Sequence, residues 1–197
     1  MRVCLIRHAS TSWNESGRIQ GQTDVPLSPF GRAQAASWRL PPGWADAPCI
    51  TSPLLRARET AAILGLEAVA QDTRLAEMRW GVFEGRTLAG LRAELGPAME
   101  DLEALGLDFQ PPGGESPRSV AARLGTCLRD LAAEPRDRVV LVTHKGVLRA
   151  SLILALGWDM QGKPPVRYDP ERALIFRLDR TGRPSFLEAV LLRDGPA

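Results

Sequence analysis

The sequence predicts one α/β domain built on a mainly parallel sheet, and three observations predict it. The runs Val3-Cys4-Leu5-Ile6 and Val139-Val140-Leu141-Val142 are unbroken apolar stretches, as expected of strands buried on both faces. Three Ser-Pro pairs, Ser28-Pro29, Ser52-Pro53 and Ser116-Pro117, mark helix starts, with serine as N-cap and proline at the first helical position. Strand-like and helix-like stretches alternate along the chain. With 197 residues, no repeats and no linker, the reading is a single domain over 1–197.

In order, strand Val3–Ile6 ends at Arg7-His8 and opens into a polar loop from Ala9 to Leu27. A helix from Ser28-Pro29 runs through Ala33, Ala35, Ala36, Trp38 and Leu40 to the stop Pro41-Pro42-Gly43. Strand 48–51 precedes the second Ser-Pro helix, which ends at Gly65, a C′ glycine. A strand around 68–70 is followed by an irregular stretch, 77–85, and then by one or two helices over 86–106 broken near Gly96-Pro97. The third Ser-Pro helix carries Val120, Leu124, Leu128 and Leu131 at helical spacing. Strand 139–142 leads to a helix from about Val147 to Leu156. The end of the chain reads as strands 173–178 and 186–192, joined at Thr181-Gly182.

Composition narrows the function. A net charge of +2, with arginines scattered among few aromatics, does not point to nucleic acid or an anionic membrane. The three cysteines, Cys4, Cys49 and Cys127, are odd in number and widely spaced. They fit reduced thiols, with Cys4 and Cys49 as small core residues, and give no disulfide framework or zinc site. No signal peptide or membrane-length apolar run is visible, so a cytoplasmic protein is expected.

Both histidines of the chain, His8 and His144, sit just past the C-terminal end of a buried strand. In open α/β sheets that edge is where ligands bind. Arg7 and His8 follow the first strand, Arg56 lies early in the second Ser-Pro helix, and His144 follows strand 139–142. Helix N-termini there add unpaired N–H groups and positive dipole ends, and an arginine fork grips two phosphate oxygens. The constellation reads as an anion pocket holding a nucleophile. Ser10 or Ser12 with His144 as base is one candidate, but the Gly-x-Ser-x-Gly elbow is absent. A neutral imidazole is itself a competent nucleophile towards phosphorus, and the attack is assigned to His8.

These residues resemble the histidine phosphatase superfamily, the phosphoglycerate-mutase-like proteins. The resemblance rests on Arg7-His8, Thr11 with Trp13-Asn14, Gln20-Gly21 with Asp24 and Pro26-Leu27-Ser28, and Ser52-Pro53-Leu54 with Arg56 and Thr60-Ala61. Glu77 with Gly81, Glu84-Gly85, 112–116 and Thr143-His144 complete the ordered set. It implies a three-layer α/β/α sandwich with a small helical cap inserted at about 86–114. It further implies that His8 becomes phosphorylated, that Arg7, Arg56 and His144 hold the phosphoryl group, and that Asn14 with Gln20-Gly21 contacts phosphate or substrate. Glu77 would move protons to the leaving oxygen and from the attacking water. No metal and no cofactor are expected. Thr11, Arg18 and Glu84 are read as loop-stabilising, and Trp13 and Trp80 as either pocket mouth or core.

Two positions depart from the family pattern. Ala9-Ser10 replaces the usual Gly and frequent Glu, and Lys145 replaces the common glycine after the second histidine; it either adds a cation to the substrate rim or faces solvent. Hydrolysis is favoured over phosphate return, because 86–110 sets Arg86 and Arg92 against Glu94, Glu100, Asp101, Glu103 and Asp108. The expected partner is a small-molecule phosphomonoester, with no nucleic acid and no membrane, for a monomer or homodimer. The alternatives are a phosphoglycerate mutase-type phosphotransferase, an α-ribazole phosphatase, and a non-catalytic phosphate-binding or phosphocarrier protein.

Overall fold

The computed structural model describes residues 1–167 and 169–192. Its strands are β1 (Arg2–Arg7), β2 (Cys49–Thr51), β3 (Ala68–Gln71), β4 (Arg138–Thr143), β5 (Arg172–Leu178) and β6 (Pro184–Leu191). The helices are α1 (Ser12–Glu15), α2 (Pro29–Ser37), α3 (Leu55–Ile63), α4 (Leu88–Leu95), α5 (Pro97–Ala104), α6 (Pro117–Ala133) and α7 (Lys145–Leu156).

All six strands join one sheet in the order β3-β2-β4-β1-β5-β6. The first four are mutually parallel, and the hairpin β5–β6 continues the sheet antiparallel from β1. Alternation along the strands divides the core. Val3, Leu5, Val139 and Leu141 face one side, where α6 and α7 supply Val120, Leu124, Leu128, Val147 and Leu148. Cys4, Ile6, Val140 and Val142 face the other, against Ala35 of α2 and Ala57 and Ala61 of α3. This is the α/β/α sandwich expected. Burying one such aliphatic side chain stabilises by about 1.5–3 kcal/mol, so the two central strands anchor both layers. The three thiols are buried among these residues; burial pushes Cys4 and Cys49 up to about 12, leaving them inert.

The local signals hold at two Ser-Pro starts and fail at the third. Ser28 accepts from the Gly31 amide at 2.9 Å and Ser116 from the Ser119 amide at 3.2 Å, with proline first in each helix. Ser52 does not cap α3. That helix begins at Leu55 with Leu54 as an N-cap lacking a side-chain bond, and the Ser52 hydroxyl is engaged elsewhere. α2 stops at Ser37, short of Leu40, because Trp38 turns extended and is buried. The polar loop after β1 contains a short helix, α1, whose cap is reciprocal: the Asn14 amide donates to Thr11 Oγ1 and the Thr11 amide to Asn14 Oδ1. α4 and α5 are separated at Gly96, as expected, and α7 begins two residues earlier than expected, at Lys145.

Candidate active site

The sheet register assembles the site. Arg7 lies opposite Thr143 in the β1–β4 pair, and the His8 amide donates to the Thr143 carbonyl at 2.9 Å. On the other side of β4, the Ser52 amide donates to Val142 O at 2.9 Å. The C-terminal ends of three adjacent parallel strands therefore set Arg7-His8, His144 and Ser52 side by side.

The imidazoles of His8 and His144 have centroids 5.1 Å apart and planes tilted by 55°. Nδ1 of His8 is 2.7 Å from the Ala9 carbonyl oxygen, a contact only a protonated Nδ1 can make, so Nε2 carries the free lone pair. Burial first, then Arg7 and Arg56, holds the His8 pKa well below its ordinary 6.5. His144 is depressed likewise, by burial and then Arg56, His8, Arg7 and Arg123. Both rings are neutral near pH 7. His144 Nε2 meets Ser52 Oγ at 2.7 Å, while its buried Nδ1 has no hydrogen-bond partner among the described residues.

A cavity of about 690 Å³ opens over this edge, lined by Arg7, His8, Asn14, Gln20, Gly21, Arg56, Glu77 and Lys145 but not by His144. His144 is fully buried, its ring beside that of His8. Arg56 is also fully buried; Nη1 donates to Thr23 O at 2.9 Å and Nη2 to Gly21 O at 2.7 Å. Those two carbonyls orient the fork, and Nε has no partner among the described residues. Gly21 presents its carbonyl with φ +53, where a Cβ would fall 2.0 Å from Glu84 Oε1, so only glycine serves there. Glu84 accepts from the amides of Gln22, Thr23 and Trp80, the loop-fastening role expected of it.

Asn14 and Gln20 are oriented through Thr11, whose hydroxyl is 3.1 Å from Asn14 Oδ1 and 3.0 Å from Gln20 Oε1. With the oxygens engaged, their amino groups are the halves available to an anion. Glu77 Oε1 accepts from the amides of Met78, at 2.8 Å, and Gly146, at 2.9 Å, leaving Oε2 as the oxygen able to carry a proton. A Cβ on Gly146 would lie 2.2 Å from that Oε1, so any larger residue there would displace the Glu77 carboxylate from this close approach.

The two departures resolve. Ala9 has no positive φ and is buried, its amide donating to Thr60 Oγ1 at 3.1 Å. Lys145 is half-buried and lines the cavity; burial, Arg149 and Arg7 lower the pKa of its ammonium to about 8, against an upward pull from Glu77. Arg18 is exposed and also reaches the cavity. Four contributors were not foreseen: Ser52 as partner of His144, Gly146, Arg149, and the segment from Trp158 to Pro164 that closes one wall. Glycine in the first turn of a helix, two residues after a site histidine, was the available signal for Gly146. Helical spacing from Lys145 was the signal for Arg149. Among the described residues no group of three or more His, Cys, Asp or Glu side chains is placed to hold a metal ion, and no helix is long and apolar enough to cross a membrane.

Comparison with known proteins agrees with this geometry. The family described as histidine phosphatase superfamily (branch 1) matches residues 3–187. A glucosyl-3-phosphoglycerate phosphatase of Mycobacterium tuberculosis is 36% identical, the match covering 76% of this chain and 72% of that protein. A probable phosphoglycerate mutase GpmB of Escherichia coli O1:K1 / APEC is 32% identical over 99% of this chain and 89% of that one. Among solved structures, a mycobacterial glucosyl-3-phosphoglycerate phosphatase complexed with VO3 superposes with a TM-score of 0.77 at 28% identity, over 98% of this chain and 99% of that one.

Proposed function

This chain belongs to the histidine phosphatase superfamily, and from that premise we propose that it is a metal-independent phosphomonoesterase working through a phosphohistidine on His8. The observation that carries the reading is the fixed tautomer of His8: Nδ1–H committed to Ala9 O, and Nε2 in a buried, neutral ring on a cavity wall that Arg7 and Arg56 also line. In the first half-reaction the Nε2 lone pair attacks phosphorus, the N–P bond forms, and the ester P–O bond breaks. The departing oxygen takes a proton from Glu77 Oε2. In the second, water attacks phosphorus, gives its proton to Glu77, and the N–P bond breaks, returning inorganic phosphate and a neutral His8.

The phosphoryl oxygens would be held by Arg7, by the unpartnered Nε edge of Arg56, and by Nδ1–H of His144, with Ser52 donating to its Nε2. Asn14 and Gln20 would supply amide N–H groups. Fixed donors in a closed site stabilise the charge of a loose phosphoryl transition state without reorganising. The substrate would be a small phosphorylated metabolite, chosen by the cavity wall from 86 to 114, which we read as the cap, and the enzyme would work in the cytoplasm.

A second reading, phosphate return as in a mutase, is favoured by the GpmB likeness. Against it, the two arginines of 86–110 are paired, Arg86 with Glu94 and Arg92 with Glu103 at 2.8 Å. The test is turnover of p-nitrophenyl phosphate with and without chelator, alongside His8→Ala. Turnover indifferent to chelator and abolished in the variant is expected. Chelator-sensitive turnover contradicts the metal-free step, and no turnover by the wild type returns the site to a binding role.

A further inference from the structure

Glu77 stands in the stretch 77–80, which belongs to no helix or strand. Its place is therefore not set by a ladder of backbone bonds. Three successive amides of the stretch donate to carboxylates instead: Met78 to Glu77 Oε1 at 2.8 Å, Arg79 to Glu115 Oε2 at 2.9 Å and Trp80 to Glu84 Oε1 at 3.1 Å. A group that hands over a proton has to stand within about 0.5 Å of its working place, so whatever fixes this stretch bears on the reaction. We propose that Glu115 and Arg123 are positioning residues for Glu77, a brace that sets its carboxyl against the leaving oxygen; this rests on the reading above that Glu77 moves the proton.

The brace is continuous. The Glu115 amide donates to Arg79 O at 2.8 Å, so Glu115 grips Arg79 at both backbone polar atoms. Its carboxylate is held by the fork of Arg123, Nε to Oε1 at 3.0 Å and Nη2 to Oε2 at 3.2 Å. The same guanidinium reaches past Glu115: Nη2 donates to Glu77 O at 3.2 Å and Nη1 to Arg74 O. One planar fork thus ties the residue bearing the acid to the residue that grips Arg79, which a point charge on a flexible stem does not do. The pair is 18% and 15% exposed, sheltered from the solvent that makes surface ion pairs weak. Gln22 Nε2 meets the same Glu77 carbonyl at 3.0 Å, so the backbone of the acid is clasped by two donors.

The motif at 112–116 gains a part in this. A Cβ on Gly114 would fall 2.6 Å from Arg79 O, so that turn lies against Arg79 only without a side chain there. Glu115 bonds Arg79. Ser116 caps α6, and Arg123 stands about two turns into that helix. Three consecutive residues seat the turn, bond the acid's segment and start the helix that delivers the arginine.

Leaving-group dependence separates positioning from plain structural support. Phenyl phosphate and p-nitrophenyl phosphate have nearly the same shape, but only phenol needs a proton to depart. Their kcat/KM values, which report the first half-reaction alone, would be compared for wild type, Glu115→Gln, Arg123→Gln, Arg123→Lys and Glu77→Gln. Thermal unfolding and inhibition by inorganic phosphate would monitor the fold and the phosphoryl pocket. Glu115→Gln and both Arg123 variants should lose about 10- to 100-fold on phenyl phosphate, the scale of a misplaced reacting group, and threefold or less on p-nitrophenyl phosphate, with inhibition by phosphate kept. Arg123→Lys keeps the charge opposite Glu115 and removes only the fork, so it carries the test should Arg123→Gln not fold. Equal losses on the two esters, or no loss on either, overturn the brace while Glu77→Gln still shows the contrast. Absence of the contrast in Glu77→Gln itself overturns the acid reading and the brace together.

Discussion

The amide of Gly146 and a carboxylate oxygen of Glu77 stand 2.9 Å apart, with no room between them for a methyl group. The first turn of α7 thereby aims the carboxyl that would protonate the leaving oxygen. Gly146→Ala is expected to push Glu77 out of place and lower kcat about 10- to 100-fold, within the range general acid catalysis supplies. The loss should be larger for an alkyl phosphate than for p-nitrophenyl phosphate, whose leaving group departs without a proton. Equal losses on both substrates would show that Glu77 is not the acid.

Arg56 is fully buried and held by two backbone carbonyls. A lysine carries a point charge with no fork and cannot span Gly21 O and Thr23 O while facing phosphate. Arg56→Lys should lower kcat/KM about 100- to 1,000-fold, the loss found on removing one preorganised donor. Activity within threefold of wild type would place Arg56 outside the phosphoryl site.

Ser52 caps no helix and instead meets His144 Nε2 at 2.7 Å. Ser52→Ala should free the His144 tautomer and cost about tenfold in kcat with little change in melting temperature, a pairing that a merely structural serine would reverse. Steady-state kinetics beside thermal unfolding reads both.

The pKa values of His8 and His144 are lowered on folding, so the unfolded chain binds more protons than the native one as pH falls through 6.5. Stability should therefore rise with pH up to about 6.5, level off above it, and decline on acidification. The acid limb of activity should fall below the ordinary histidine value. Nitrogen chemical shifts of labelled imidazoles at pH 6.5 should report neutral rings, His8 protonated at Nδ1; a half-charged His8 at that pH contradicts the lowered pKa, and a neutral His8 protonated at Nε2 contradicts the tautomer.

Much of this was legible in the sequence because its signals are local. An unbroken apolar run ending in a histidine fixes both a buried strand and the sheet edge where that histidine emerges. Ser28 and Ser116 cap as their Ser-Pro pairs predict. Ser52 carries the same dipeptide but does not cap, since its hydroxyl is claimed by a histidine 92 positions away in the chain; only the register of β2 on β4 reveals that. α1 was missed because a four-residue helix has no apolar period, only its Thr11–Asn14 cap. Counting charges over 86–110 missed the cations of the cavity, which α7 supplies from beyond that window. Lys145 reads as either rim or solvent in the sequence; α7 begins at that residue and sets it on the cavity lining.

The central claim is a covalent one, and trapping the intermediate tests it most directly. Wild-type protein mixed with a turned-over phosphomonoester, quenched within milliseconds in alkaline denaturant and digested, should yield a phosphoryl group on the peptide holding His8, absent from His8→Ala. A phosphoryl group found on another residue, or turnover that persists in His8→Ala, would contradict the account.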